Sequence, residues 1–241
     1  SFKVDPSDIS NAITKNTIMI ILNSPQNPTG SVISEKVSRE IFALAQKHNL
    51  FLVSDEVYGR MIYDNCDTSF FSPCTLDKCL ERTILLHSLS KSYSMTGWRI
   101  GAVTGPIKLI EKMSLLLETT SSCVSPFVQI AAAKGLLDKQ NEISERMTEF
   151  KERRDLMVSL LNRIKGISCT EPDGAFYVFA NISKTGLSSQ RFSDLILENT
   201  SVATCPGVFF GDNGEGFVRF CFANSKKNIT EGLKRIEQFF R

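Results

Sequence analysis

The chain has 241 residues, of which 42% are hydrophobic and 22% charged, enough to bury a core in one large domain or two small ones. Its 28 basic and 26 acidic side chains nearly balance, so neither nucleic acid nor an anionic membrane is an expected partner. No apolar run is long enough to span a bilayer and no signal-like segment opens the chain.

The seven cysteines are scattered and form no C-x-x-C pair. His48 and His87 lie far from any cluster that could hold a metal, so neither a zinc site nor a disulfide framework is expected. The thiols predict buried free cysteines in a reducing, cytoplasmic protein. Because the chain starts at Ser1 without a methionine, we expect it to be a fragment or a processed product.

The first half of the chain alternates between apolar runs and helical patterns. Continuous apolar runs joined by a helix predict a parallel sheet that is covered on both faces. Ser125 and Pro126 together are typical of a helix start. The predicted strands are residues 16–22, 50–56, 83–90 and 101–105, and the predicted helices are residues 34–49, 107–118 and 126–137.

A long amphipathic helix is predicted over residues 141–164, ended by Gly166. The pattern then changes to aromatic-rich strands with short helices between and after them, which predicts a domain boundary inside the long helix. We expect a large α/β domain at 1–150 and a small α+β domain at 151–241. The predicted strands are 174–182, 201–211 and 216–224, and the predicted helices are 191–199 and 229–240.

Polar side chains follow each apolar strand of the first half. In an open parallel sheet, ligands bind beyond the carboxyl ends of the strands. An amide, a carboxylate, a phenol, a hydroxyl, an amine and a guanidinium suit pyridoxal 5′-phosphate, which has a ring nitrogen, a phenolic oxygen, an aldehyde and a phosphate. The residues are Asn27, Asp55, Tyr58, Ser88 and Lys91, with Arg99 in the adjoining loop.

Five stretches resemble, in order, the signatures of class I/II pyridoxal-phosphate aminotransferases of fold type I. They are SPQNPTG (24–30), SDEVYGRMIYD (54–64), SLSKSYSMTGWRIG (88–101), PDGAFYVF (172–179) and FVRFCFAN (217–224). The resemblance implies the mostly parallel sheet of the family's large domain, in part, and a small C-terminal domain. It also implies ping-pong transfer of an amino group from an L-amino acid to a 2-oxo acid, and a homodimer in the full-length form.

The resemblance also implies roles for the cofactor-binding residues. Lys91 would be the Schiff-base lysine and the base that moves the Cα proton. Asp55 would pair with the ring nitrogen, and Asn27 and Tyr58 would hold the ring oxygen. Ser88, in competition with Ser90, and Arg99 would bind the phosphate.

On the substrate side, Arg219 and Asn27 are expected to bind the α-carboxylate. The Asn27–Pro28 bond is a candidate cis peptide. Aspartate-type or aromatic donors are favoured weakly. Family members carry further phosphate-binding, ring-stacking and dimer-interface residues upstream of these motifs, so we expect this piece alone to bind the cofactor weakly and to transaminate slowly or not at all.

Other interpretations stay open. Ser88–Lys91 spells S-x-x-K and Lys184–Gly186 spells K-T-G, as in penicillin-recognising serine acyl-enzymes. An aminotransferase-like ligand-sensing module without turnover is a second alternative. Taken one at a time, the site residues also have structural interpretations. Lys91 alone would be read as a salt-bridge partner and Asp55 as a helix N-cap. Tyr58 would be read as a core residue and Arg219 as a member of a surface ion pair. Arg60 and Arg154 are interpreted as ordinary surface or interdomain charges, and Trp98 and the phenylalanines of 209–222 as core.

Overall fold

The computed structural model describes residues 2–64 and 69–241. The chain folds as two compact units, one formed by Ser1–Pro25 and Ser31–Ser144 and the other by Gln26–Gly30 and Glu145–Arg241. The short segment Gln26–Gly30 thus belongs with the C-terminal unit, although it follows the first strand in sequence. The roles expected for 1–150 and 151–241 stay predictions. Cys66 lies outside the described residues.

The first unit contains a four-stranded sheet in the order β1-β2-β3-β4. β1 pairs with β2, and β2 with β3, in parallel, whereas β4 runs antiparallel to β3. The predicted α/β class and mostly parallel sheet are therefore confirmed. The strands are Met19–Asn23 (β1), Phe51–Asp55 (β2), Thr83–Ser88 (β3) and Gly101–Thr104 (β4).

Helix starts in this unit follow from capping chemistry. The Ser34 hydroxyl accepts a hydrogen bond from the backbone N–H of Val37 at the start of the helix predicted over 34–49. The sequence analysis missed the first helix, although Asp5 followed by Pro6 is typical of a helix start, and the Asp5 carboxylate accepts from the Ser7 N–H. The helices are Pro6–Ala12 (α1), Glu35–Lys47 (α2), Ile107–Thr120 (α3) and Pro126–Leu137 (α4).

Side chains from α1 and α2 pack on one face of the sheet, against Ile20, Leu22 and Leu52. Successive residues of a strand point to opposite faces. On the opposite face Ile21 is 66% exposed and Phe51 is 40% exposed. The expectation of cover on both faces is therefore wrong for β1 and β2 in the described chain, because α1 and α2 lie on the same side.

The second unit contains a three-stranded antiparallel sheet in the order β5-β7-β6. Its core includes Leu161, Phe192, Phe222 and Ile236, all at 0% exposure. The helices are Asn141–Leu161 (α5), Ser189–Thr200 (α6) and Lys226–Phe239 (α7), and the strands are Tyr177–Asn181 (β5), Cys205–Pro206 (β6) and Phe217–Cys221 (β7).

The strand predicted over 201–211 is wrong except at Cys205–Pro206. A 3-10 turn, Gly207–Phe210, follows directly. A Cβ at Gly207 would lie 1.9 Å from the Gly214 carbonyl oxygen, so the backbone folds back on itself more closely than any side chain allows.

The burial expected for several aromatic residues is also corrected. Trp98 is 45% exposed and Phe209 67% exposed, whereas Phe220 and Phe222 are buried as expected. Cys74 and Cys79 are buried free thiols, but Cys123 and Cys221 are exposed. No helix within residues 2–64 and 69–241 combines the length and apolar character needed to cross a bilayer.

Asp77 organises the loop that leads into β3. Its carboxylate accepts backbone N–H bonds from Cys79 at 2.9 Å and from Arg82 and Thr83 at 3.0 Å. Partial burial would raise the pKa of Asp77, but these hydrogen bonds and one from the Thr83 hydroxyl outweigh it and hold the pKa below its ordinary value.

We expect Asp77→Asn to lower the free energy of unfolding by about 1–2 kcal/mol at neutral pH. A depressed folded-state pKa contributes stability that is present above the unfolded-state pKa and lost as pH falls through the folded-state value. The difference from wild type should therefore shrink in acid, as measured by urea unfolding across pH. Glu81→Gln, an exposed carboxylate in the same loop, is the control. A deficit equal at all pH values would contradict this account.

Candidate active site

The carboxyl ends of three parallel strands meet at one edge of the first sheet. In the register, Asn23 of β1 lies opposite Asp55 of β2, and Asp55 lies opposite Leu86 of β3. Asp55 is the last residue of β2 and Ser88 the last of β3. The loops that leave this edge carry Tyr58 and Lys91, so the first unit places these four predicted site residues on neighbouring strand ends.

Two consecutive carboxylates at the end of β2 have different environments. Glu56 is 6% exposed, and its Oε1 accepts hydrogen bonds from the Ser54 hydroxyl at 2.9 Å and the Ser72 hydroxyl at 2.6 Å. Burial raises the pKa of Glu56 despite these two bonds. Asp55 is only partly buried, and its Oδ1 accepts from the Val57 N–H at 3.2 Å. Asp55 is thus the carboxylate of the two that a ligand can reach.

A tight turn presents Lys91 after β3. The Ser88 hydroxyl oxygen accepts from the Ser90 N–H at 3.1 Å, and the Ser94 N–H donates to the Lys91 carbonyl at 3.1 Å. Leu89 is 2% exposed and anchors the turn, while Lys91 is only partly buried. The turn therefore holds an amine and two hydroxyl groups close to the end of the strand.

Arg99 and Tyr58 complete the set in the first unit. Arg99 is exposed and has a left-handed backbone, with φ of 53°, and its Nη1 donates to the Thr96 carbonyl at 2.9 Å. Tyr58 is 3% exposed, and its carbonyl accepts from the Met61 N–H at 2.7 Å.

The other two predicted site residues pair within the second unit. Arg219 Nη1 donates to Asn27 Oδ1 at 2.7 Å. The guanidinium also lies over two aromatic rings, 4.5 Å from the Tyr177 centroid and 5.0 Å from that of Phe210. The Asn27–Pro28 bond is cis as predicted, and the unpredicted Ser24–Pro25 bond is cis too.

These contacts place Arg219 among an amide and two rings. The alternative of a surface ion pair with an acidic residue does not describe them. Sequence analysis missed Tyr177 and Phe210 as neighbours of Arg219. The aromatic richness of both segments was visible, but their position around one arginine depends on the pairing of β7 with β5, which carries Tyr177, and with β6, which the turn with Phe210 follows.

The two features of the serine acyl-enzyme alternative lie in unsuitable places. Ser88 ends a strand and does not open a helix. Lys184 lies in a 3-10 turn, Ser183–Thr185, rather than on a strand.

Two arginines interpreted as ordinary charges have specific partners. Arg60 is exposed, but it donates to the Tyr93 hydroxyl and to the side-chain oxygen of Gln140. Arg154 is 1% exposed, so the surface alternative of its interpretation is wrong, while the interdomain alternative stays a prediction. The sequence hint was its position in the apolar stripe of α5.

The chain matches the family described as aminotransferase class I and II over residues 1–236. Among curated relatives, it is 40% identical to an aspartate aminotransferase of Pyrococcus horikoshii over 99% of this chain and 60% of the relative. It is 37% identical to aromatic-amino-acid aminotransferase 2 of Thermococcus litoralis, over 100% of this chain and 61% of the relative.

Solved structures give the same result. An aromatic aminotransferase from Pyrococcus horikoshii OT3 superposes with a TM-score of 0.94 at 39% identity, covering 99% of this chain and 64% of that one. The aspartate aminotransferase from Rhizobium meliloti gives a TM-score of 0.91 at 33% identity, with coverage of 99% and 62%. The chain spans about 60% of the length of the curated relatives named here, and it belongs to the class I and II aminotransferase family.

Proposed function

We propose that this chain supplies the catalytic lysine and the substrate-carboxylate arginine of a pyridoxal-phosphate-dependent aminotransferase. The reaction moves an amino group from an L-amino acid to a 2-oxo acid in two alternating half-reactions. The observation that carries the proposal is that Asp55 ends β2 and Lys91 follows closely after the end of the adjacent parallel strand β3.

The donor set fits pyridoxal phosphate, the cofactor of this family. When bound, the cofactor supplies an electron sink for the charge that develops at the substrate Cα. The partly exposed Asp55 carboxylate is available to a protonated ring nitrogen, whereas Glu56 is occupied by two hydroxyl groups. The Ser88 hydroxyl and the exposed Arg99 guanidinium suit a phosphate.

The residues of this chain have separate roles in the proposed reaction. The Lys91 amine would hold the cofactor through its aldehyde carbon, with loss of water, and, once the substrate amine replaces it there, the freed amine would take the Cα proton and return it. The Tyr58 phenol and the Asn27 amide hold the ring oxygen.

Arg219 and Asn27 bind the substrate α-carboxylate in this proposal. A guanidinium already held by an amide and two rings loses little side-chain freedom when it binds a carboxylate. The named relatives support an aspartate-type or an aromatic donor equally. A homodimeric full-length form and a cytoplasmic location belong to the same proposal.

The first test is the visible absorption band of the chain mixed with excess pyridoxal phosphate. We expect Lys91→Ala to abolish the band and the stoichiometric borohydride trapping that wild type shows at Lys91, because the Lys91 amine makes the attachment in this proposal. Lys184→Ala, the lysine of the K-T-G sequence, should leave both unchanged. Trapping that persists in Lys91→Ala would overturn the assignment.

The same band separates turnover from ligand sensing. A donor amino acid should convert the band in the full-length protein, with a 2-oxo acid restoring it, whereas the piece alone should convert it slowly or not at all. Binding of the amino acid without conversion would favour the sensing module.

A second test compares the two adjacent carboxylates. We expect Asp55→Asn to slow conversion of the band by an amino acid by roughly a hundredfold or more, because the ring nitrogen loses its charged partner. Glu56→Gln should leave the rate within about threefold of wild type, since the Glu56 carboxylate accepts from the Ser54 and Ser72 hydroxyls and the Cys74 thiol. Stopped-flow absorption measures both rates. The reverse ranking would show that Glu56 faces the cofactor.

A third test concerns the carboxylate arginine. We expect Arg219→Lys to weaken binding of the amino acid or of a carboxylate inhibitor by about tenfold or more, because lysine lacks the two-pronged geometry. The cofactor band should be unaffected. Arg235→Lys, a partly exposed arginine on α7, is the matched control. Titration of the band with the ligand gives the affinity, and an unchanged affinity in Arg219→Lys would contradict the role.

A further inference from the structure

Arg154 of α5 is a charged side chain that the fold buries almost completely. Its side chain is 1% exposed. Its Nη1 donates to the Pro172 carbonyl at 3.2 Å, and its Nη2 lies 2.7 Å from Asp155 Oδ1 and 3.5 Å from Glu171 Oε2. A buried guanidinium is retained only where such partners compensate the loss of water. Arg154 therefore fastens the loop at 171–172 to the helix.

The segment that Arg154 fastens also holds the turn that carries Asn27. The Gly174 N–H donates to the Gly30 carbonyl at 2.8 Å. A Cβ at Gly30 would lie 2.3 Å from the Pro172 Cβ, and Gly30 has a φ of 70°, so only glycine allows this close approach. The 172–174 segment and the turn thus pack backbone against backbone.

The turn itself is closed by one hydrogen bond. The Gly30 N–H donates to the Gln26 carbonyl at 2.8 Å, and Asn27 lies inside the loop so formed. The Asn27 side chain in turn accepts from Arg219. Each step, from Arg154 through Pro172 and Gly30 to Asn27, lies within the second unit.

We propose that Arg154 is a positioning residue for the Asn27–Arg219 pair. It holds the 171–174 loop, which holds Gly30 and thereby the orientation of the Asn27 amide. The role of the Asn27–Arg219 pair in this inference rests on the proposed function. The chain of contacts from Arg154 to Gly30, called the mechanical part below, is independent of that function.

The mechanical part is tested by amide hydrogen exchange on the full chain. We expect Arg154→Lys, which keeps the charge but loses the fork, to speed exchange of the Gly174 and Gly30 amides by about tenfold. The Phe222 amide, bonded to the Phe176 carbonyl in the same unit, should not change. Arg153→Lys, the neighbouring arginine paired with Glu149, is the control.

Two outcomes would overturn the mechanical part. One is unchanged exchange at Gly174 and Gly30. The other is equal acceleration at Phe222, which would show a general loss of stability. If Arg154→Lys fails to fold, Glu171→Gln removes one exposed partner and should speed exchange at the same two amides to a smaller extent; no change there would equally overturn the inference.

The functional part is tested with the cofactor present. Succinate and 3-phenylpropionate serve as carboxylate probes for the two donor classes. We expect Arg154→Lys to weaken binding of the better probe by about fivefold to tenfold, with the cofactor band unchanged and Arg153→Lys equal to wild type. A normal affinity in Arg154→Lys would overturn the positioning role.

Failure of the proposed function looks different. In that case the full-length protein itself shows no cofactor band, or no borohydride trapping at Lys91, while the exchange rates still decide whether Arg154 holds the loop.

Discussion

The parallel register of β1, β2 and β3 is the constraint on which the candidate site depends. Asn23 lies opposite Asp55, and Asp55 opposite Leu86. Because side chains alternate with a period of two, a slip of β2 by one residue would turn Asp55 inward and bring Glu56 to the accessible side. The hydrophobic residues that prevent this slip, Leu52 above all, are buried against α2. Core packing thus selects which of two adjacent carboxylates can meet a ligand.

The second unit fixes the position of a cation, the Arg219 guanidinium. Arg219 lies at the centre of β7, opposite Phe179 of β5 and Cys205 of β6. Its guanidinium is held by Tyr177, Phe210 and the Asn27 amide, none of which neutralises its charge. The aromatic-rich strands of this unit therefore have two uses, since their rings form the core and also orient the arginine.

Buried charges in the two units are treated in opposite ways. Glu56 accepts hydrogen bonds from the Ser54 and Ser72 hydroxyls, and burial raises the pKa of Glu56. The buried Arg154 guanidinium is instead matched by two carboxylates and a carbonyl. Each of these two side chains lies next to a segment that carries predicted site residues. Its hydrogen bonds hold that segment against the rest of its own unit.

The sequence by itself determined the features that depend on local chemistry. Apolar runs predicted the strands, the Ser34 cap is consistent with the start of α2, and ordered motifs indicated the family and nominated Lys91 and Asp55. Tertiary structure alone decided the burial of Arg154, the exposure of Trp98 and the early end of β6. Those three features depend on contacts with residues that are distant in sequence. Examples are the Pro172 carbonyl at Arg154 and the Gly214 carbonyl at Gly207. Local pattern carries no record of such neighbours, because the pairing of residues far apart in sequence is settled only when the whole unit packs.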